Sequence, residues 1–113
     1  MRGGSQVSQL DTDRRELALY IDNDYGCHRA FLLPTLRTVA KHYDKGQGDY
    51  GKALLAISRY AVLPSAREYV KVHGSMTASV KTMFPKPIRD AVAEDILEYF
   101  LSEYRLGNKF WEA

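Results

Sequence analysis

The fold of this chain is decided by residues 49–74, DYGKALLAISRYAVLPSAREYVKVHG, which have the apolar spacing of one long amphipathic helix. Apolar side chains recur three or four positions apart, which places them on one helix face that other helices must cover. Pro64 lies in the middle of the segment, and because it lacks a backbone N–H it either kinks one helix or separates two. The residues expected on the covered face are Tyr50, Leu54, Ile57, Ala61, Tyr69 and Val72.

A second amphipathic segment, residues 27–43, precedes it and contains a proline of its own, Pro34. Either a helix begins near Pro34, since proline is accommodated in a first turn, or a longer helix kinks there. Gly46 is the expected left-handed residue after this helix, and Asp49 is the expected N-cap of the next one. The residues expected to face the core are Phe31, Leu32, Leu36, Val39, Ala40 and Tyr43.

Two further helices are predicted at the flanks. The first starts with Thr12 or Asp13 as its N-cap and ends at a turn in residues 22–26, DNDYG. The last begins at Pro85 or Pro87 and runs to Gly107, and the stretch before it holds at most one short helix. No internal repeat and no strand-like alternation is evident. The sequence therefore predicts an all-α single domain, an irregular bundle of four or five helices.

Composition divides the chain into three regions. Residues 1–11 are small and polar and are predicted to form a disordered tail, whereas residues 12–107 form the helical domain. Residues 108–113 are an aromatic tail that contains Phe110 and Trp111. We expect these two rings to fold back on the bundle. If they are exposed instead, they form a surface for a protein partner.

The composition also bounds the cellular setting. A chain of 113 residues with 45% hydrophobic residues is long enough to bury a core. Its single cysteine, Cys27, cannot form an internal disulfide, which favours a reducing, cytoplasmic environment. No apolar run approaches the roughly 20 residues that span a bilayer, so no membrane association is expected.

Positive charge is concentrated in the middle of the chain. Residues 35–74 carry seven Lys and Arg against three Asp and Glu, which gives this third a net charge of +4. Several of these side chains are four positions apart, so they form stripes on the predicted helices. If the helices are neighbours, the stripes combine into a patch for nucleic acid or for an acidic protein partner. The patch residues are Arg37, Lys41, Lys45, Lys52, Arg59, Arg67 and Lys71.

One motif matches the spacing of a phosphate-binding loop. Residues 46–53, GQGDYGKA, contain G-x-x-x-x-G-K before a predicted helix. However, Ala53 stands where a hydroxyl would hold magnesium, and the preceding segment has helical rather than strand periodicity. We therefore expect these glycines to serve the end of one helix and the start of the next.

The metal-binding patterns are incomplete. Residues 22–26 resemble the first half of a calcium loop, but the glycine comes one position early and Leu33 occupies the place of the bidentate Glu. Cysteine and histidine also lack the spacing of a transition-metal site. We predict no metal, no other cofactor and no catalytic residue.

Five short segments carry a resemblance to a known group of proteins. They are ELALYIDND (16–24), GDY (48–50), KA (52–53), AREY (66–69) and FPKPIRDAVAEDILEYF (84–100). Together they resemble small uncharacterised proteins carried by bacteriophages and plasmids, over about residues 14–100. The resemblance implies a mobile-element accessory protein that acts inside a bacterial cell, a class that includes inhibitors of host defence.

The sequence thus favours a small non-enzymatic binding protein that acts by protein–protein contact. The first alternative is a nucleic-acid-binding accessory protein that uses the basic patch on the central helices. The second alternative is a nucleotide binder at the glycine-rich loop. The oligomeric state and the identity of the partner do not follow from the sequence.

Overall fold

Helices make up nearly all of the computed structural model, which describes the backbone of residues 2–113 and the side chains from Leu10 onward. The predicted all-α, single-domain bundle of four or five helices is confirmed, and the described part contains no strand. Helix α1 is Arg2–Asn23, α4 is Val80–Met83, α5 is Lys86–Leu106, and a 3-10 turn follows at Phe110–Glu112. Helix α2 consists of three consecutive parts: Tyr25–Cys27, a π-helical turn at His28–Leu32, and Leu33–Asp44. Helix α3 is built in the same way from Tyr50–Ile57, a π-helical turn at Ser58–Val62, and Leu63–His73.

The predicted starts of the helices are confirmed in part. Asp49 is the N-cap of α3, and its side chain accepts a hydrogen bond from the Lys52 backbone N–H at 2.8 Å. Thr12 and Asp13 both lie inside α1, so the prediction that one of them caps this helix is wrong. The predicted disordered tail, residues 1–11, falls mostly outside the residues whose side chains are described, and it stays a prediction.

Pro34 and Pro64 lie inside continuous helices, because a π-helical turn precedes each of them. The Leu33 N–H donates to the carbonyl of His28, five residues back, and the Leu63 N–H donates to the carbonyl of Ser58 in the same way. A turn of this width makes room for a proline ring that would clash with the carbonyl four residues earlier in a regular α-helix. Pro64 therefore does not separate two helices.

The two π-helical turns mark a short internal repeat. Residues 29–37, RAFLLPTLR, and residues 59–67, RYAVLPSAR, share both arginines, the Leu-Pro pair and the hydroxyl residue after it. Since α2 and α3 are antiparallel, the two π-helical turns pack against each other. The prediction of no internal repeat is therefore wrong. The repeat is hard to recognise in the sequence because only a few positions of the two copies are identical.

The π-helical turn also changes which residues of α3 face the core. Ile57 and Ala61 are buried as predicted. Tyr50 and Val72, at the two ends, are 40% and 60% exposed, so the prediction is wrong for them. A π-helical turn holds an extra residue, which rotates the buried face by about one position. The buried residues at the end of this turn and beyond it are Val62, Ser65 and Ala66.

The core lies where α5 packs against α1 and α3, and the C-terminal tail closes it. The Trp111 ring is 1% exposed and contacts the Phe100 ring at a centroid distance of 4.6 Å, so the expected folding back of the tail is confirmed. Gly107, at φ 80°, ends α5 in the left-handed conformation that lets the tail turn back. The largest fully buried side chains include Leu17, Ile21, Leu36, Ile57, Phe84, Leu97, Phe100 and Trp111.

Tyrosine hydroxyls link helices to one another at the surface of the bundle. The Tyr50 hydroxyl on α3 donates to Glu98 of α5 at 2.7 Å, and that bond raises the pKa of Tyr50 to about 12. The Tyr69 hydroxyl donates to Glu16 of α1, and this bond likewise raises the pKa of Tyr69 to about 12.

None of the helices described is both long enough and apolar enough to cross a membrane.

Candidate binding groove

Arg37, the first residue of the predicted basic patch, binds the C-terminal tail. The Arg37 Nε donates to the carbonyl of Trp111 at 2.7 Å, and this side chain is only partly exposed. Arg37 therefore holds the tail against α2 and is not part of an open basic surface.

The other predicted patch residues are exposed but do not form one patch. Lys41, Lys45 and Lys52 lie at the end of the α2–α3 hairpin that contains the turn. At a rise of about 1.5 Å per residue, Arg67 lies roughly 20 Å from Lys52 along α3, with Lys71 beyond it. Because the two helices run in opposite directions, their basic stripes end at opposite ends of the hairpin.

Arg59 faces a different part of the surface. It lines a depression of about 690 Å³ between α3 and the start of α5, together with Lys86 and Arg89. Lys86 is paired with Asp90 at 2.7 Å, and Arg89 donates to the backbone carbonyl of Phe84. The prediction of a single basic patch on the central helices is therefore not met by this arrangement.

The predicted protein-partner patch at the tail is also reduced. Trp111 is buried, so this ring does not form the exposed partner surface that was the alternative to folding back. Phe110 is half-buried, and its ring contacts Tyr99 at a centroid distance of 5.3 Å. Its free face lines a separate cavity rather than an open aromatic patch.

An extended concave surface runs along the outer side of the α2–α3 hairpin and is here called the hairpin groove. It consists of three adjoining depressions of about 430, 370 and 340 Å³. The first two share Thr38 and Ala56, and the last two share Ala30 and Phe31. The shared residues place the depressions next to one another, from the turn between the helices to the far end of α3.

Small side chains keep the middle of the hairpin groove open. Ala30, Thr38 and Ala56 form its walls where the two π-helical turns meet. The Phe31 ring adds apolar surface, and Tyr60 at its edge is 58% exposed. A large exposed aromatic ring beside small residues is typical of a surface that takes a side chain of a partner.

The π-helical turns also leave two backbone carbonyls without the donors that a regular α-helix would supply. The Leu33 N–H, which would bond the Arg29 carbonyl in an α-helix, is directed to His28 instead. The next possible donor, residue 34, is a proline without an N–H. The Arg59 carbonyl lacks both donors for the same reasons. The Leu63 N–H is directed to Ser58, and residue 64 is a proline. Neither carbonyl therefore receives the backbone hydrogen bond that it would accept in a regular α-helix.

Charge is unevenly distributed along the hairpin groove. Lys52, His42 and Asp49 line the end near the turn, whereas Asp24, Glu68 and His73 line the far end. No charged side chain lines the middle. The groove thus combines an apolar centre with an acidic far end and an end near the turn that holds one lysine and one aspartate.

The glycine-rich loop has a structural role in this arrangement. Gly46 adopts the predicted left-handed conformation, at φ 71°. A Cβ atom at Gly48 would lie 2.2 Å from the Tyr43 ring, so this ring covers the position where the loop would need to be open. The Asp49 side chain occupies the Lys52 N–H that a phosphate would use. The geometry therefore does not favour nucleotide binding at residues 46–53.

Catalytic or metal-binding chemistry requires suitable side chains to meet, and the structure describes the side chains from Leu10 onward. No group of three or more His, Cys, Asp or Glu is placed to hold a metal ion there. The Cys27 thiol is 2% exposed, and burial raises its pKa to about 11, so it is a poor nucleophile near neutral pH.

Sequence reasoning missed the hairpin groove as a site. The signal that locates it is the repeated Leu-Pro pair with an arginine four positions before each leucine, because each pair marks a π-helical turn. Comparison with known proteins adds no relative: no family model, no curated protein and no solved structure matches this chain.

Proposed function

We propose that this protein is a non-enzymatic binding protein whose hairpin groove holds an amphipathic helix of a protein partner. The observation that carries the proposal is the row of three adjoining depressions in the hairpin groove, from the turn between α2 and α3 to the end of α3. A groove between two antiparallel helices is a common receptor for a third helix, which inserts its apolar face.

The lining of the hairpin groove defines what the partner helix must provide. Its centre accommodates apolar side chains beside Ala30, Ala56 and Phe31. At the end near the turn, the Asp49 carboxylate caps α3, so the exposed Lys52 ammonium is left to pair with acidic residues on the partner, and the neighbouring lysines increase the rate of encounter. The partner is therefore an amphipathic helix with acidic residues at the end that meets Lys52.

The resemblance to proteins carried by bacteriophages and plasmids extends this proposal. A mobile-element protein that binds through a groove acts on proteins of its bacterial host, and a component of a defence system is one such target. The charge of the hairpin groove supports an acidic segment on that host protein.

Site-specific photo-crosslinking in cells tests the hairpin groove directly. A photoreactive phenylalanine derivative at Tyr60 is expected to form an adduct with one discrete partner, because this exposed ring borders the centre of the groove. The same derivative at Leu19, which is 53% exposed on α1, serves as the control position. Equal adducts at both positions would count against the groove.

Filling the hairpin groove is expected to abolish the adduct. Thr38→Arg places a long charged side chain where two of the depressions join, and it is expected to weaken partner binding at least tenfold. Ser102→Arg, at an exposed position of α5 that lines no part of the groove, is the matched control and is expected to bind normally. Loss of binding in both variants, or in neither, would contradict the proposal.

Nucleic-acid binding is the second candidate function, and one observation favours it. Lys41, Lys45 and Lys52 are exposed near the turn, and none has an ion-pair partner among the side chains that are described. Reversing these three charges is expected to abolish any retention on DNA or RNA at low salt, because phosphate contacts dominate such binding. Reversing Arg67 and Lys71 is the control. Retention that neither set changes would exclude the lysine cluster.

A further inference from the structure

A second concave site lies on the opposite side of α2 from the hairpin groove. It is a cavity of about 390 Å³ between α1, α2, α5 and the C-terminal tail, here called the tail cavity. Its volume lies within the range of roughly 300–1,000 Å³ that is typical of small-molecule sites. Most of its lining is apolar and includes Leu32, Leu36 and Ile96.

Two aromatic rings form one wall of the tail cavity. Tyr99 of α5 and Phe110 of the tail lie 5.3 Å apart between centroids, with their planes at 49°. Tyr99 is 59% exposed although it is a large aromatic residue. The face of an aromatic ring attracts cations as well as apolar groups.

The polar side chains that line the tail cavity include Asp22, Asp95 and His28. Asp95 is already neutralised, since Arg14 binds its two carboxylate oxygens at 2.6 and 2.8 Å. Asp22 has no ion-pair partner among the described side chains, and its partial loss of hydration raises its pKa, with His28 acting in the opposite direction. The remaining negative charge of the cavity therefore belongs to Asp22.

The position of Asp22 on its helix strengthens this negative charge. It lies in the last turn of α1, which ends at Asn23 and has no basic residue in that turn. The carbonyls at the end of a helix carry a partial negative charge that a cation normally neutralises. In addition, the Nδ1 atom of His28 is buried without a hydrogen-bond partner. This atom therefore forms no hydrogen bond with the Asp22 carboxylate.

From these contacts we infer that the tail cavity binds a small amphiphilic amine. The ammonium group pairs with Asp22 at the end of α1, and the apolar body lies among Leu32, Leu36 and Ile96 against the Tyr99 and Phe110 rings. This site is independent of the hairpin groove, because it shares no lining residue with it. It gives the protein a ligand-binding function besides partner binding.

Probes that differ only in charge test the inference. Phenethylamine, phenylethanol and 3-phenylpropionate have similar apolar bodies, and their binding to the full-length protein can be measured by calorimetry and by protein NMR. We expect phenethylamine to bind at millimolar concentration or below, at least about tenfold more tightly than phenylethanol, and phenylpropionate not to bind. Equal binding of the three probes, or no binding of phenethylamine, would overturn the inference.

Variants assign the binding to the tail cavity. Asp22→Asn is expected to remove the advantage of the amine over the alcohol, and Ala18→Phe, which fills the cavity, is expected to weaken both probes. Glu94→Gln removes a carboxylate that faces the depression between α3 and α5, and it is expected to change nothing. Circular dichroism confirms that each variant is folded. An amine affinity that Asp22→Asn leaves intact would overturn the assignment.

Discussion

Replacing Trp111 by alanine is expected to lower the free energy of unfolding by about 3–5 kcal/mol, a large part of the stability of a domain of this size. The Trp111 ring is 1% exposed and packs on Phe100 and Tyr104, so its removal leaves a cavity that this part of the core cannot fill. Urea denaturation followed by circular dichroism measures the change.

Leu106→Ala is the control for Trp111→Ala. Leu106 is 70% exposed in the last turn of α5, and its replacement is expected to cost less than about 1 kcal/mol. If Trp111→Ala had no more effect than Leu106→Ala, the tail would not be part of the core. Arg37→Ala is expected to weaken the same attachment, because it removes the donor to the Trp111 carbonyl.

Alkaline conditions are expected to produce the second large effect. Burial raises the pKa of Cys27 from 9.0 to about 11 and, as the first cause, that of Tyr20 from 10.0 to about 12. Tyr50 and Tyr69 reach about 12 through their bonds to carboxylates. The folded state therefore holds these protons more tightly than the unfolded state does. Stability is complete below the unfolded pKa values and is lost as pH rises from about 9 towards about 12.

Urea titrations at several pH values measure this loss. Since one pKa unit corresponds to about 1.4 kcal/mol, Cys27 alone contributes roughly 2–3 kcal/mol across the window. Tyr69→Phe removes one of the shifted groups and is expected to make the decline shallower. Tyr60→Phe changes an exposed ring whose hydroxyl has no hydrogen bond to a described residue, so it serves as the control. A free energy of unfolding that stays constant over this range would disprove the linkage.

The helical fold was predictable because its signals are local. Asp49, Gly46 and Gly107 mark helix ends through their own side-chain or backbone chemistry, and each acts at the place that the sequence indicates. The first helix was placed less well. Asp24 alone separates α1 from α2 and caps the second helix by accepting from the Cys27 N–H, so a stretch that looks like a longer turn is nearly all helical.

The candidate sites were less predictable because they depend on contacts between distant parts of the chain. Arg37 has the spacing of a surface stripe, but its partner is a carbonyl of Trp111, far away in the sequence. The hairpin groove follows from two π-helical turns, and helical periodicity assumes that every turn has the same width. The tail cavity requires four segments to meet around Asp22.

The repeated Leu-Pro segments have a consequence for the direction in which a bound helix lies. Because the two copies run antiparallel and meet at the centre, a ligand there encounters nearly the same backbone after a half-turn rotation. The middle of the surface therefore cannot discriminate between the two orientations. Only the terminal charges, Lys52 on one side and Glu68 on the other, break this local pseudosymmetry. A ligand with reversed sequence would occupy the same space with its charges opposed.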